Sequence, residues 1–137
     1  IVDRRTGYLW LTKCNTRKAE DISRATINLL TPIKDQLKTI TADNGKEFSL
    51  HEHIAQELDL DWYFADPYSA WQRGTNENTN GLIRQYISKG SDLNHYTDEY
   101  ISEITQRLNQ RPRKRLGFKS PSQVLCQQHG VALQKII

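Results

Sequence analysis

Apolar positions along the chain follow two alternating spacings, which predict strands interleaved with helices. Short apolar runs bounded by turn residues predict three strands, over 7–14, 38–42 and 62–65, with a hairpin turn at Arg4–Gly7 before the first. Spacings of three and four residues predict helices over 17–31, 46–58, 76–88 and 97–110. A last helix is predicted to begin at Ser120-Pro121, with proline in its first turn. This order predicts an α/β sheet with helices packed on it.

The predicted helix over 76–88 separates an apolar side from a polar side. At 100° per residue, Leu82, Ile83 and Tyr86 share one side. The opposite side carries polar or small residues, namely Glu77, Gly81, Arg84 and Ser88. The apolar side would hold the helix to a core and leave the glutamate side for a substrate. An ordinary amphipathic surface helix shows the same pattern.

Two carboxylates lie in unusual local sequences, with 33 residues between them. Asp43 ends the strand predicted over 38–42 and precedes an Asn-Gly turn, and Glu77 lies in the first turn of a predicted helix. Carboxylates from a strand end and a helix can share divalent metal ions that act on phosphodiesters. Aspartate before Asn-Gly is also ordinary turn chemistry, and an acidic residue in a first turn also stabilises the helix dipole. On these two residues alone, both interpretations stay open.

The net charge of +3 conceals an asymmetry. Residues 1–66 contain 9 Lys and Arg against 11 Asp and Glu, whereas residues 67–137 contain 10 against 5. After Glu103 there are seven basic residues and no acidic one, and five of the seven lie between Arg111 and Lys119. A polyanion such as DNA would be attracted there by charge and counterion release. A solvated tail is the alternative.

The loop over 66–74 is aromatic and leads directly to Glu77. Trp71 or Tyr68 could stack on an exposed base, and Arg73 could contact phosphate. Either aromatic ring could equally fill a core, and Tyr68 fits that structural role better.

Length and composition exclude several classes of protein. A chain of 137 residues predicts one domain with its own core. No run approaches the roughly 18 apolar residues of a membrane span. No signal peptide is apparent in the sequence. Cys14 and Cys126 fit neither a disulfide framework nor a zinc site, which suits a reducing cytosol. His51 and His53 flank Glu52 without matching a zinc-protease helix, so we interpret them as surface residues.

Four segments closely resemble the bacterial insertion-sequence transposases of the IS-thirty family: Thr41–Phe48, Tyr63–Tyr68, Trp71–Tyr86 and Leu108–Pro121. The resemblance extends over nearly the whole chain. It implies the catalytic core of a DDE transposase or retroviral-type integrase, with an RNase H-like fold in which helices flank a mixed sheet. On this basis residues 1–137 form one core domain, incomplete at its N-terminal side, and residues 107–137 form its basic C-terminal helical tail.

The implied function is metal-dependent hydrolysis of phosphodiesters at transposon ends, followed by strand transfer into target DNA. Asp43 matches the family's second catalytic aspartate and Glu77 its glutamate, and both would bind Mg²⁺ or Mn²⁺ in a site of the two-metal type. The expected DNA-binding residues are Arg73, Arg84, Lys89, Arg111, Arg113, Lys114 and Arg115. The expected partners are DNA and further copies of the chain, with no membrane, in the bacterial cytoplasm and at the nucleoid during the reaction.

The family's first catalytic aspartate has no clear counterpart. Ile1–Leu9 resembles the end of the second core strand and the turn into the third, so the first strand and its aspartate would lie upstream of Ile1. Asp3 is an alternative source, although its neighbours match the hairpin. A core without that strand is expected to hold metal poorly and to self-associate. Two other functions stay open: an inactive fragment that only binds DNA or other transposase subunits, and a plain RNase H-type nuclease.

Overall fold

The computed structural model describes residues 1–67 and 74–129, which form two compact units. The hairpin unit comprises Ile1–Thr12 and Gly74–Ile137, and the sheet unit comprises Lys13–Arg73. The elements, in chain order, are α1 (Ala19–Leu30), β1 (Thr39–Ala42), α2 (His51–Leu58), β2 (Asp61–Phe64), α3 (Gly74–Ile83), α4 (Asp98–Gln110) and α5 (Pro121–His129). Across the two described ranges, every helix is too short or too polar to cross a membrane.

The sheet unit is built on two parallel strands joined by a helical crossover. β1 and β2 pair from Thr39 opposite Asp61 to Ala42 opposite Phe64. Parallel pairing requires a crossover connection, and α2 supplies it. α1 packs on α2, where the side chains of Leu30, Ile54 and Leu58 are almost completely buried.

The apolar run in β2 is less buried than its composition suggests. The sequence predicted a buried strand, but Tyr63 is 53% exposed and Phe64 is 37% exposed. Trp62 and Phe64 share the strand face that meets the His51 ring of α2, at centroid distances of 6.2 and 4.8 Å. Tyr63 lies on the other face, because side chains alternate along a strand. The prediction of a buried strand is wrong for β2 as a whole, because none of its four residues is buried.

The hairpin unit has its own core on one face of α4. Leu9 and Ile87 pack there with Ile101, Ile104 and Leu108 of α4. The predicted helical spacing over 97–110 is confirmed, and the helix begins where the Thr97 hydroxyl accepts a hydrogen bond from the Tyr100 amide at 3.1 Å.

The start of α5 is also as predicted. Pro121 is its first residue, and Ser120 and Gln123 form a reciprocal capping box. The Ser120 hydroxyl accepts from the Gln123 amide at 3.2 Å, and the Ser120 amide donates to Gln123 Oε1 at 2.9 Å.

The strand predicted over 7–14 is wrong, because only a single antiparallel bridge forms, between Val2 and Leu9. On the side of Leu9 away from Val2, the Leu9 amide donates to Asn109 Oδ1 and the Leu9 carbonyl accepts from Asn109 Nδ2, each at 2.8 Å. A side-chain amide on α4 thus takes the place that a neighbouring strand would have.

Two predicted helices are shorter than expected. The region 46–58 divides into a 3-10 turn, Lys46–Phe48, followed by α2. The helix predicted over 76–88 begins at Gly74, ends at Ile83 and continues as turns. As a result, Arg84 and Ser88 lie beyond the end of α3.

Candidate active site

Asp43 directly follows the first strand of the sheet unit. Pairing continues to the strand end, because the Ala65 amide donates to the Ala42 carbonyl at 2.8 Å. Ala42 is buried and Asp43 is half-buried. The carboxylate is therefore held at the carboxyl end of a parallel strand, which is where open α/β sheets bind their ligands.

Glu77 lies in the first turn of α3, in the hairpin unit, and is exposed. Leu82, Ile83 and Tyr86 pack against the core of that unit. All four residues of the predicted polar stripe are exposed: Glu77, Gly81, Arg84 and Ser88. The division of α3 into two sides is confirmed, and the glutamate faces away from the core.

The two carboxylates belong to different compact units. Within residues 1–67 and 74–129, no three His, Cys, Asp or Glu side chains cluster as a metal site would require. Both residues supply hard oxygen donors of the kind that Mg²⁺ and Mn²⁺ prefer. Joint binding of metal by Asp43 and Glu77 stays a prediction.

Asp3 has a structural role in the hairpin turn. Its Oδ1 accepts from the Arg5 amide at 3.2 Å, and its Oδ2 accepts from the Thr6 amide at 3.0 Å and from the Thr6 hydroxyl. Its carbonyl accepts from the Gly7 amide at 2.8 Å. These bonds explain why an aspartate stands here, because short polar side chains stabilise turns in this way.

The basic residues expected to contact DNA lie mainly in the hairpin unit. Five are exposed: Arg84, Lys89, Arg111, Lys114 and Arg115. Arg113 is half-buried. The predictions for Arg73, Tyr68 and Trp71 fall outside the described residues.

Arg113 organises the basic segment after α4. Its Nη2 donates to the Leu108 carbonyl at 3.0 Å, within the last turn of α4, where helix carbonyls lack partners. Burial and the nearby charges of Arg111 and Arg115 lower the pKa of Arg113. Arg111 Nη1 donates to Gln85 Oε1 at 3.1 Å and so connects the basic segment to the chain just after α3. Three like charges are thus held close together, and a bound polyanion would relieve their repulsion.

Sequence reasoning missed Phe118. Its ring is 71% exposed, the largest exposed fraction among the large apolar side chains of the described ranges. Lys119, noted only as part of the basic region, is also exposed. The available signal was an aromatic residue inside an unbalanced run of positive charge.

The fold is that of an RNase H-like core, of which the two-stranded sheet with its helices forms a part. A chain in the cryo-EM structure of the simian T-cell lymphotropic virus intasome in complex with PP2A regulatory subunit B56 gamma matches it with a TM-score of 0.65. The match covers 96% of this chain and 48% of that chain, at 22% sequence identity. The predicted fold class is confirmed.

Curated relatives give the family. The transposase for insertion sequence element IS4351 from Bacteroides fragilis is 49% identical over 123 residues, or 90% of this chain and 38% of that protein. Transposase InsI for insertion sequence element IS30A from Escherichia coli (strain K12) is 38% identical over 134 residues, or 97% of this chain and 34% of that protein. No protein-family model matches the chain.

The chain belongs to the bacterial insertion-sequence transposases of the IS-thirty family, as its motifs predicted. It spans a little over a third of the length of these relatives.

Proposed function

We propose that the chain forms part of the catalytic core of a DDE-type transposase, which hydrolyses phosphodiesters at transposon ends and transfers the strands into target DNA. The observation that supports this most is the placement of Glu77. It stands on an exposed polar stripe that continues from α3 to Arg84, the residue after the helix, while the opposite side of the helix packs into the core. A helix placed in this way offers a carboxylate and a cation to a substrate phosphate without disturbing its own packing.

Asp43 and Glu77 would hold the divalent metal, Mg²⁺ or Mn²⁺. When bound, such ions activate water or a 3′-hydroxyl and stabilise the charge that develops on the phosphate. The half-buried position of Asp43 at a strand end restricts the motion of its carboxylate, whereas Glu77 is exposed.

DNA would bind the hairpin unit through its basic residues. Arg84 and Lys89 follow α3, and the hydrogen bond from Arg111 to Gln85 joins the basic segment to the residue after Arg84. Such contacts neutralise backbone phosphates and position the duplex without reading its sequence. The assembly would contain further copies of the chain and act on DNA in the bacterial cytoplasm.

A second candidate is a fragment that binds DNA or other transposase subunits without cleaving. This candidate is favoured by the role of Asp3, whose carboxylate accepts hydrogen bonds within the hairpin turn. Among the described residues, no other carboxylate completes a cluster of three around Asp43 or Glu77.

Nicking of supercoiled plasmid in Mn²⁺ distinguishes the two candidates. The wild-type chain is compared with Asp43→Asn and Glu77→Gln. Matched controls are Asp61→Asn, an exposed residue at the start of β2, and Glu52→Gln, an exposed residue in the first turn of α2.

The transposase proposal expects nicking that both site substitutions abolish and both controls retain. Binding of DNA without nicking, unchanged by any substitution, would support the binding fragment instead. Nicking that Asp43→Asn and Glu77→Gln leave intact would contradict the assignment of the site.

A further inference from the structure

Phe118 combines two unfavourable features for a surface residue. Its ring is 71% exposed, so it gains little from burial. Its φ is +64°, in the left-handed region that bulky side chains avoid. A strained, exposed aromatic residue that contributes little to the fold suggests a function outside it.

The loop that carries Phe118 is closed on itself. The Arg113 amide donates to the Lys119 carbonyl, and the Arg113 carbonyl accepts from the Phe118 amide, each at 3.0 Å. The Arg113 carbonyl also accepts from the Leu116 amide at 3.0 Å. Gly117, at φ +62°, turns the chain immediately before the phenylalanine. These bonds fix the backbone on which the ring is displayed.

The loop that carries the ring is also basic. Lys114, Arg115 and Lys119 are exposed in the same loop, and the stretch from Arg111 to Lys119 has no acidic residue. The Arg115 guanidinium comes close to the hairpin, because a Cβ placed on Gly7 would lie 2.4 Å from its Nη2. An apolar partner surface would leave these charges without partners, whereas a polyanion with aromatic bases would meet both the charges and the ring.

We propose that Phe118 stacks on an unstacked nucleobase of bound DNA while the surrounding cations contact the adjacent phosphates. The proposal deepens the proposed function and rests on the chain binding DNA. Exposed aromatic residues in basic surroundings bind single strands by stacking. The loop would therefore favour single-stranded or mismatched DNA over a perfect duplex.

Phe118→Asn tests the proposal with the 137-residue chain. Asparagine tolerates a positive φ, so the variant should melt at or above the wild-type temperature. Its affinity for a single-stranded oligonucleotide should nevertheless fall by roughly 5- to 150-fold, since that range corresponds to one lost base stack. The slope of affinity against salt should not change, because no charge is removed.

Four further variants separate the ring from other causes. Phe118→Tyr keeps an aromatic face and should retain the affinity, whereas Phe118→Leu keeps apolar bulk and should lose it. Leu93→Ala removes another exposed apolar side chain of the hairpin unit, which is 41% exposed, and should have no effect. Lys114→Gln should weaken binding to single strands and duplexes alike and reduce the salt slope by about one.

The probe is a single strand containing 2-aminopurine, whose fluorescence reports stacking, with light scattering run in parallel. Wild-type affinity in Phe118→Asn, alongside weakened binding by Lys114→Gln, would overturn the stacking proposal and leave DNA binding intact. If Phe118→Asn instead dissociates an oligomer and affinity falls only with it, the ring belongs to a contact between copies, and the proposal is wrong. No binding by the wild-type chain at low salt would overturn both this proposal and the proposed function.

Discussion

Asn109 connects the hairpin to α4, and its removal should strongly destabilise the hairpin unit. Its side chain is 3% exposed and makes two hydrogen bonds of 2.8 Å to the backbone of Leu9, 100 residues away. In Asn109→Ala the amide and carbonyl of Leu9 would lose these partners in a buried position. Leaving a buried polar group unpaired costs about 1–3 kcal/mol, so the two groups together predict a loss of about 2–6 kcal/mol.

The loss is measured as the free energy of unfolding in urea, followed by circular dichroism and tryptophan fluorescence. At about 4 °C per kcal/mol for a chain of this size, the melting temperature should fall by roughly 8–24 °C. Asn28→Ala is the matched control, because Asn28 is an exposed helical asparagine on α1. The control should remain within about 0.5 kcal/mol of wild type. A loss below about 1 kcal/mol in Asn109→Ala would refute the reasoning that this amide replaces a strand.

Two other predictions follow from local geometry and charge. Gly7→Ala and Gly90→Ala should cost similar stability, because both glycines have positive φ and the exposed Arg115 side chain can move away from a Cβ at Gly7. A clearly larger loss at Gly7 in urea unfolding would show that Arg115 is fixed against the hairpin. The pKa of Cys14 is raised mainly by burial and secondly by the nearby Asp21 carboxylate. Alkylation of Cys14 by iodoacetamide near neutral pH should therefore be slow, and it should accelerate in Asp21→Asn. The rate is followed by mass spectrometry of the Cys14 peptide, and no acceleration would show that the carboxylate does not act on the thiol.

The parts of the fold that could be predicted are those determined by local pattern. The face of α4 followed from residues spaced by three and four, and the start of α5 followed from Ser120-Pro121. The strand over 7–14 could not be predicted correctly, because a strand is defined by its partner. The partner of Leu9 on one side is a side chain 100 residues away. The exposure of Tyr63 was missed for the same reason, since an apolar run does not reveal which of its faces is covered.

The parts of the candidate site that could be predicted are likewise those determined by short stretches of sequence. The strand end at Asp43 and the exposed side of α3 around Glu77 follow from short segments, and both are observed. The structural roles of Asp3 and Arg113 depend on hydrogen bonds that composition does not reveal. Phe118 was missed because the basic run was interpreted by its charges alone, and the left-handed backbone that exposes the ring is visible only in the structure.

The proposed function depends most on the proposal that Asp43 and Glu77 hold one divalent metal together. The most direct test supplies Fe²⁺ in place of Mg²⁺. Ascorbate and peroxide then cut the backbone next to the bound iron, and mass spectrometry maps the cuts. A shared metal site predicts cuts beside both Asp43 and Glu77, and excess Mg²⁺ should suppress them. Either Asp43→Asn or Glu77→Gln should abolish the cuts at both positions. Cuts at one position alone, or cuts at one position that persist when the other residue is substituted, would contradict a shared site.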